Sequence, residues 1–178
     1  MSDIFPEPAP DFSDPLGLIR ACHQRMLSHC ELLEKLAAHL RHSGADDDAR
    51  KAARQAHRYF STSAVFHHQD EEEDLFPRIG RSSMAMADTV HRLRQDHRTL
   101  DEAWADLGPM LENIAHVGDT ERFAQLVAQY CDAYREHIRI EEREFLDRAQ
   151  HMLSSDELRK IGKAMQERRR PKTGGGDR

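Results

Sequence analysis

The sequence carries two copies of the pattern His-x-x-x-Glu-Glu, each followed by a run of acidic and apolar residues. His67 and Glu71 of the first copy recur as His137 and Glu141 in the second, 70 positions along the chain. Residues four apart on a helix lie about 40° apart on one face, displaced by one turn. Both copies fall in segments whose apolar residues follow helical spacing. The repeat therefore predicts two equivalent helix pairs whose His and Glu side chains face each other.

Helical spacing of apolar residues extends through most of the chain, and strand-like alternation is absent from the sequence. The segment Ser154–Glu157 predicts the cap of a short fifth helix. We expect the second helix to end near Phe76-Pro77, and Gly108-Pro109 to kink or interrupt the third. Because short connections favour antiparallel neighbours, the predicted fold class is all-α, an antiparallel up-down-up-down four-helix bundle with a short C-terminal fifth helix. The five predicted helices span about 16–42, 48–75, 85–115, 121–151 and 155–168.

The two ends of the chain differ in composition from the helical part. Residues 1–15 hold four of the seven prolines and predict an extended tail. Residues 170–178 contain three consecutive glycines and predict a flexible C-terminal tail. The helical bundle is accordingly expected to occupy residues 16–169.

Histidines also lie in the first and third predicted helices, at His23 and His97. The order along the chain is then His, His-x-x-x-Glu, His, His-x-x-x-Glu, with one element on each helix. Buried carboxylates cost several kcal/mol each unless a cation compensates them, and mixed His and Glu donors suit iron or zinc better than Ca²⁺ or Mg²⁺. The predicted ligands are His23, His67, Glu71, His97, His137 and Glu141.

The size of this donor set favours two metals over one. Four His and two Glu exceed the ligands that one tetrahedral zinc uses. If each carboxylate bridges two six-coordinate metals, open positions remain for water or a small ligand such as a diatomic. His68, Glu72 and Glu142 stand beside the predicted ligands and are alternatives: further ligands, groups that orient the ligands, or solvated neighbours.

Composition excludes several other classes. The net charge of −6 argues against a nucleic-acid binder, and no apolar run reaches the ~20 residues that a membrane helix needs. The N-terminus has no apolar region typical of a secretion signal. Three cysteines without a Cys-x-x-Cys pair fit a reducing compartment, so we expect a cytoplasmic protein. We also expect the protein to be a monomer or a homodimer.

The motifs resemble those of the hemerythrin-like (HHE cation-binding) family. The resemblance rests on the His67-His68-x-x-Glu71-Glu72 run that leads to Leu75-Phe76-Pro77, and on His137-x-x-x-Glu141-Glu142, and it covers about residues 16–169. It implies an antiparallel four-helix bundle around two iron ions (Fe²⁺/Fe³⁺) with bridging carboxylates and an oxo or hydroxo bridge. Carried over by position, the ligands are the six residues named above.

The sequence departs from the oxygen-carrying members of that family on the third helix. Those proteins have a second His one turn before the ligand, where this chain has Leu93. His91 lies about 120° around the helix from His97 and does not replace it. In hemerythrins the terminal carboxylate also lies one residue later, so Glu142 is an alternative to Glu141. The four-His, two-Glu set is closer to that of the iron-centre repair proteins of the superfamily.

Three functions remain open from the sequence. The first is a di-iron protein that binds O₂, NO or peroxide at open iron positions, as a carrier or sensor. The second is a di-iron enzyme that scavenges peroxide, reduces NO or repairs iron centres. The third is an interaction module whose metal site is structural.

Overall fold

The computed structural model describes residues 10–170, and within this range every regular element is helical. The prediction of an all-helical chain is therefore confirmed for these residues. Residues 1–9 and 171–178, which contain most of the two predicted tails, lie outside the described residues. The α-helices are α1 Pro15–Ser43, α2 Asp47–Gln69, α3 Phe76–Ile79, α4 Met84–Glu112, α5 Thr120–Ile140, α6 Asp147–Met152 and α7 Ser155–Arg168.

Two π-helical segments join these helices into longer continuous stretches. Asp70–Leu75 links α2 to α3, and Glu141–Leu146 links α5 to α6. In each, a backbone N–H bonds the carbonyl five residues earlier, from Phe76 to Glu71 and from Asp147 to Glu142. The spacing of apolar residues does not predict these widened turns, which are frequent at functional sites. The described residues thus contain five continuous helical stretches, 15–43, 47–79, 84–112, 120–152 and 155–168.

Side chains at the helix starts explain where the helices begin. Asp14, Asp46, Ser83 and Asp119 each accept a hydrogen bond from the backbone N–H three residues on, which satisfies a group with no partner inside the helix. Ser154 and Glu157 form the predicted capping box of α7.

The structure differs from two expectations about where prolines end helices, while the kink expected at Pro109 stays a prediction. The second helical stretch continues two residues past Pro77, to Ile79, after the π-helical segment. The third stretch is not interrupted at Gly108-Pro109, since α4 continues to Glu112. It ends three residues before the predicted Ala115, and a 3₁₀ turn follows at Ile114–His116.

Four stretches pack side by side: α1 lies against α2 and α5, and α4 lies against the same two helices. Their buried apolar residues form two clusters, one at each end of the molecule. The first includes Met26, Phe60, Leu100 and Tyr134. The second includes Ile19, Leu75, Leu93, Ile140 and Phe145. A layer of buried polar side chains lies between the two clusters.

Helix α7 covers the end of the molecule that holds the second cluster. Its Ile161 and Met165 are buried in that cluster, and a side chain at Gly162 would collide with the carbonyl oxygen of Phe12. Beyond its last turn, Arg169 places Nη2 2.6 Å from Oδ2 of Asp70, and Arg168 bonds Oδ1 of the same carboxylate. Asp70 is buried, so two guanidinium groups compensate its charge. Among residues 10–170, no helix is long and apolar enough to span a bilayer.

Candidate metal centre

The structure brings all six predicted ligands into the buried polar layer. His23 comes from α1, His67 from the last turn of α2, His97 from α4 and His137 from the last turn of α5. Glu71 and Glu141 stand in the two π-helical segments. All six are at most 2% exposed. Residues from four separate helices and from both halves of the chain therefore meet at one place, as the repeat predicts.

Each of the two carboxylates touches imidazoles from two different helices. The oxygens of Glu71 lie 2.7 Å from Nε2 of His67 and 3.1 Å from Nε2 of His97. Oε2 of Glu141 lies 3.0 Å from Nε2 of His23 and 3.5 Å from Nε2 of His137. The two glutamates thus connect one histidine pair to the other.

The donor atoms fall into two groups with metal-site dimensions. One consists of His23, His67, Glu71 and Glu141, with one donor atom from each lying within 4.8 Å of the others. The second consists of His68, His97 and His137 under the same limit. His97 and His137 thus group with His68, which is not one of the six predicted ligands. Glu71 of the first group contacts His97, and Glu141 of the first group contacts His137. Each group could hold one cation, and Glu71 and Glu141 contact histidines of both groups.

The polar atoms of this layer fit a cation better than they fit each other. Among the described residues, Nε2 of His67, His97 and His137 and both oxygens of Glu71 are buried without a hydrogen bond of acceptable geometry. Burying such groups without partners costs roughly 1–3 kcal/mol each. Nε2 of His67 and Oε1 of Glu71 are nevertheless only 2.7 Å apart. Close donors that converge without hydrogen-bond geometry are typical of atoms that share a metal ion.

The electrostatics of the cluster also point to a cation. Burial lowers the pKa of His97, but the adjacent carboxylates of Glu71 and Glu72 outweigh burial and raise the pKa to about 9. Burial likewise opposes protonation of His67, yet Glu71 raises its pKa well above the ordinary value. The pKa of Glu71 moves the other way: burial raises it, but His67 and His97 bring it well below the ordinary value. Positive charge is therefore favoured at this position, and a metal ion supplies it when it displaces the protons.

The second glutamate of each motif supports a histidine on a neighbouring helix. Oε1 of Glu142 accepts from Nδ1 of His23 at 3.0 Å, and Oε1 of Glu72 accepts from Nδ1 of His97 at 2.8 Å. Such bonds fix the tautomer and direct Nε2 towards the polar layer, where a metal ion could bind. Both carboxylates, which the sequence left as alternatives, thus lie on the outer side of the imidazoles.

Sequence reasoning missed two further groups around the histidines. Oδ2 of Asp96 lies 3.6 Å from Nδ1 of His137. It faces the same ring nitrogen that Glu72 and Glu142 contact in the other two histidines, at a longer distance. The Cys22 thiol interacts with His67; burial raises the pKa of this thiol, but His67 and Arg25 outweigh burial and lower it. Asp96 and Cys22 each stand next to a predicted ligand in the sequence, and this position was the only hint of their role. In the structure, however, each one contacts an imidazole from a different helix.

His68 occupies the side of the site that opens to solvent. It is half-buried and lines a cleft of about 400 Å³ between α2 and α4, together with Glu72, His97 and Asp101. Its ring stacks on that of His97 with centroids 4.0 Å apart. His91, in contrast, is exposed on α4 and contributes to a different cleft.

Comparison with known proteins agrees with this chemistry. Residues 14–149 match the hemerythrin HHE cation binding domain. A protein of Haemophilus influenzae, described as an uncharacterized protein, is 28% identical over 172 residues. That match covers 97% of this chain and 99% of the relative.

Proposed function

Because the chain belongs to the hemerythrin HHE cation-binding family, we propose that it is a non-haem di-iron protein that binds O₂, NO or peroxide. Its role is that of a carrier or sensor of such small ligands. The single observation that carries the proposal is the pair of glutamates, Glu71 and Glu141. Each of them contacts one histidine from the first donor group and one from the second. Carboxylates in that position are suited to bridge two metals.

We propose that two iron ions, joined by both carboxylates and an oxo or hydroxo bridge, occupy the centre. His23 and His67 hold one ion, and His97 and His137 hold the other. The donor set of four nitrogens and two carboxylates suits a first-row metal of this kind. When bound, the iron pair supplies reversible coordination of a small ligand at positions that the protein leaves open.

The chain's own residues control access to that centre. The two apolar clusters exclude water from both ends of the polar layer, which strengthens electrostatic interactions inside it. The cleft beside His68 offers a path for a small molecule between α2 and α4. Glu72 and Glu142 hold the Nδ1 protons of His97 and His23, so the opposite nitrogens are available as donors.

The proposed scaffold is an antiparallel up-down-up-down four-helix bundle. Along α1 and α4 the second apolar cluster, with Ile19 and Leu93, precedes the central histidine. Along α2 and α5 the same cluster, with Leu75 and Ile140, follows the histidine. This alternation supports helices that run in alternating directions. Arg41, near the end of α1, also pairs at 2.8 Å with Glu121 at the start of α5.

We further propose a cytoplasmic protein, monomeric or homodimeric, whose ligand is a small molecule and which binds neither nucleic acid nor membrane. The three cysteines are free and buried, which supports a reducing compartment. The net charge of −6 supports the exclusion of nucleic acid.

Metal analysis and an optical spectrum of the purified protein test the proposal. About two irons per chain, with charge-transfer bands that change reversibly on exposure to O₂ or NO, are expected for two metals on this donor set. Zinc alone, or no metal after iron-replete expression, would contradict the di-iron proposal. Sustained consumption of peroxide or NO by the reduced protein would instead identify an enzyme.

A further inference from the structure

A row of oxidisable aromatic side chains leads away from the candidate metal centre through the first apolar cluster. Tyr134 lies one turn before His137 on α5, and its ring is 5.0 Å from that of Tyr130. The ring of Tyr130 is 5.5 Å from that of Trp104 on α4. Each step is far shorter than the range over which electrons tunnel between redox groups in proteins.

The inner end of the row contacts the centre through His68. The Tyr134 hydroxyl lies 3.5 Å from Nε2 of His68. His68 in turn stacks on His97 with centroids 4.0 Å apart and an interplanar angle of 18°. An unbroken series of contacts therefore joins a candidate metal ligand to the first tyrosine.

The outer end of the row reaches the surface. Trp104 is partly exposed, whereas Tyr130 and Tyr134 are 2% exposed. The indole lies over Gly108, where an added Cβ would be only 3.2 Å from the ring. The centroid of the His57 ring lies 5.6 Å from that of Trp104. Trp104 is thus held in a fixed place where a solute can reach it.

Packing alone does not explain the choice of these side chains. The chain has seven phenylalanines but three tyrosines and one tryptophan, and the row uses two of the tyrosines and the tryptophan. Phe60 fills the space among the same rings, with centroids 5.1 to 5.5 Å from them, and needs no hydroxyl to do so. Burying a phenol hydroxyl is costly unless it is bonded. The Tyr134 hydroxyl has a polar partner in Nε2 of His68, 3.5 Å away.

We propose that Tyr134, Tyr130 and Trp104 form an electron-transfer route between the metal centre and the protein surface. The inference rests on the proposed di-iron function and names peroxide as the oxidant that puts the route to use. It adds a function for the first apolar cluster beyond enclosing the site.

The electron balance of the route is simple. One equivalent of peroxide takes the two electrons that two iron(II) ions would supply, so the route would serve a second equivalent, which needs two electrons and two protons to become water. Tyr134 would supply these electrons one at a time, Tyr130 would reduce Tyr134, and Trp104 would reduce Tyr130. After two transfers the peroxide has gained two electrons and Trp104 has lost two. A soluble one-electron donor reduces the indole after each transfer; without a donor, Trp104 takes up the oxygen of one water and becomes hydroxytryptophan, and the two protons released balance those used to reduce the peroxide.

Treatment of the iron(II)-loaded protein with several equivalents of hydrogen peroxide per chain tests the route, because the iron(II) ions consume the first equivalent. Peptide mass spectrometry measures oxidation of Trp104, and freeze-quench electron paramagnetic resonance detects an organic radical. We expect both in the wild type. Tyr130→Phe should lose most of the Trp104 oxidation, because phenylalanine is much harder to oxidise than tyrosine and would interrupt the route. Tyr59→Phe is the matched control, since Tyr59 stacks on His29 outside the row, and should behave as wild type.

Two further comparisons separate transfer through the row from oxidation in solution. Met84 is 85% exposed, so its oxidation reports diffusing oxidant and should be equal in all variants. Protein loaded with zinc should show no Trp104 oxidation. Trp104→Phe removes the partly exposed side chain that would reduce the Tyr130 radical. The lifetime of a tyrosyl radical should therefore increase in this variant.

Unchanged Trp104 oxidation in Tyr130→Phe, or equal oxidation in the zinc-loaded protein, would overturn the route while leaving the di-iron proposal intact. A wild-type radical lifetime in Trp104→Phe would do the same. A protein that binds no iron would contradict the proposed function, and the route would fall with it.

Discussion

Glu72 accepts a hydrogen bond at 2.8 Å from Nδ1 of His97, a residue of the neighbouring helix. The equivalent glutamate of the second motif, Glu142, makes the same contact with His23 at 3.0 Å. The two glutamates of each motif therefore have different positions. The first lies in the buried polar layer, and the second orients a histidine from another helix. This division explains why the lone histidines of α1 and α4 accompany the repeated motif.

Replacing Glu72 with glutamine should weaken metal binding without unfolding the protein. A glutamine holds the imidazole of His97 less firmly and lowers its basicity, and loss of such an outer partner typically costs 10–100-fold in metal affinity. Competition titration with a chelator measures the effect. Glu73→Gln is the matched control, because Glu73 is exposed and contacts Arg168. Equal affinity losses in the two variants would argue against a specific role for Glu72.

Removing a central histidine should remove metal. His67→Ala and His137→Ala each delete one buried donor, so iron content should fall from about two to about one or none per chain, because too few donors remain for one of the ions. His91→Ala should keep the wild-type content, since His91 is exposed and outside the centre. Iron analysis of the three purified variants provides the test. The same metal loss in His91→Ala would refute the ligand assignment.

The metal-free protein should lose stability as the pH rises from about 6.5 to about 9. The pKa of His97 is raised from 6.5 to about 9 in the fold, so its stabilising contribution is complete below 6.5 and disappears as the pH passes about 9. The raised pKa of His67 acts in the same direction. His68, whose pKa burial and His97 lower, opposes the trend only near pH 6.5, because its imidazole is neutral in both states at higher pH. Thermal denaturation of the apoprotein across this range measures it.

Metal affinity should change in the opposite direction over the same range. Because bound metal displaces the protons of His97 and His67, affinity should rise by about tenfold per pH unit for each proton released. Chelator competition at two pH values gives the slope. A pH-independent affinity would mean that the imidazoles are already neutral in the apoprotein.

Truncating both arginines that hold Asp70 should destabilise the protein strongly. The Asp70 side chain is 1% exposed, and Arg168→Ala with Arg169→Ala leaves its charge buried without either partner. Breaking a buried pair in this way costs about 3–5 kcal/mol, which chemical denaturation can measure. Arg159→Ala breaks an exposed pair with Asp156 in the same helix and should cost at most about 1 kcal/mol. Similar losses in both proteins would contradict the importance of Asp70 burial.

Local sequence information was enough to propose a set of donors, and the structure brings these six residues together. The spacing of His67 to Glu71, and of His137 to Glu141, is short enough for helix geometry alone to place each pair on one face. Helix caps such as Ser154 with Glu157 are local too, and they lie where the sequence predicts. Widened π-helical turns, in contrast, depend on a shift of backbone hydrogen bonds that periodicity does not reveal.

The sequence by itself determined the helical class, the repeated motif and the type of chemistry, because each depends on residues within a few turns of one another. Only the tertiary structure decided which glutamate faces the centre, which faces the outer nitrogen of a histidine, and how Asp70 is compensated by arginines 98 and 99 positions away. These contacts join helices whose relative rotation is set by packing of the two apolar clusters. No spacing along the chain encodes that rotation, so the partners could be identified only where the helices meet.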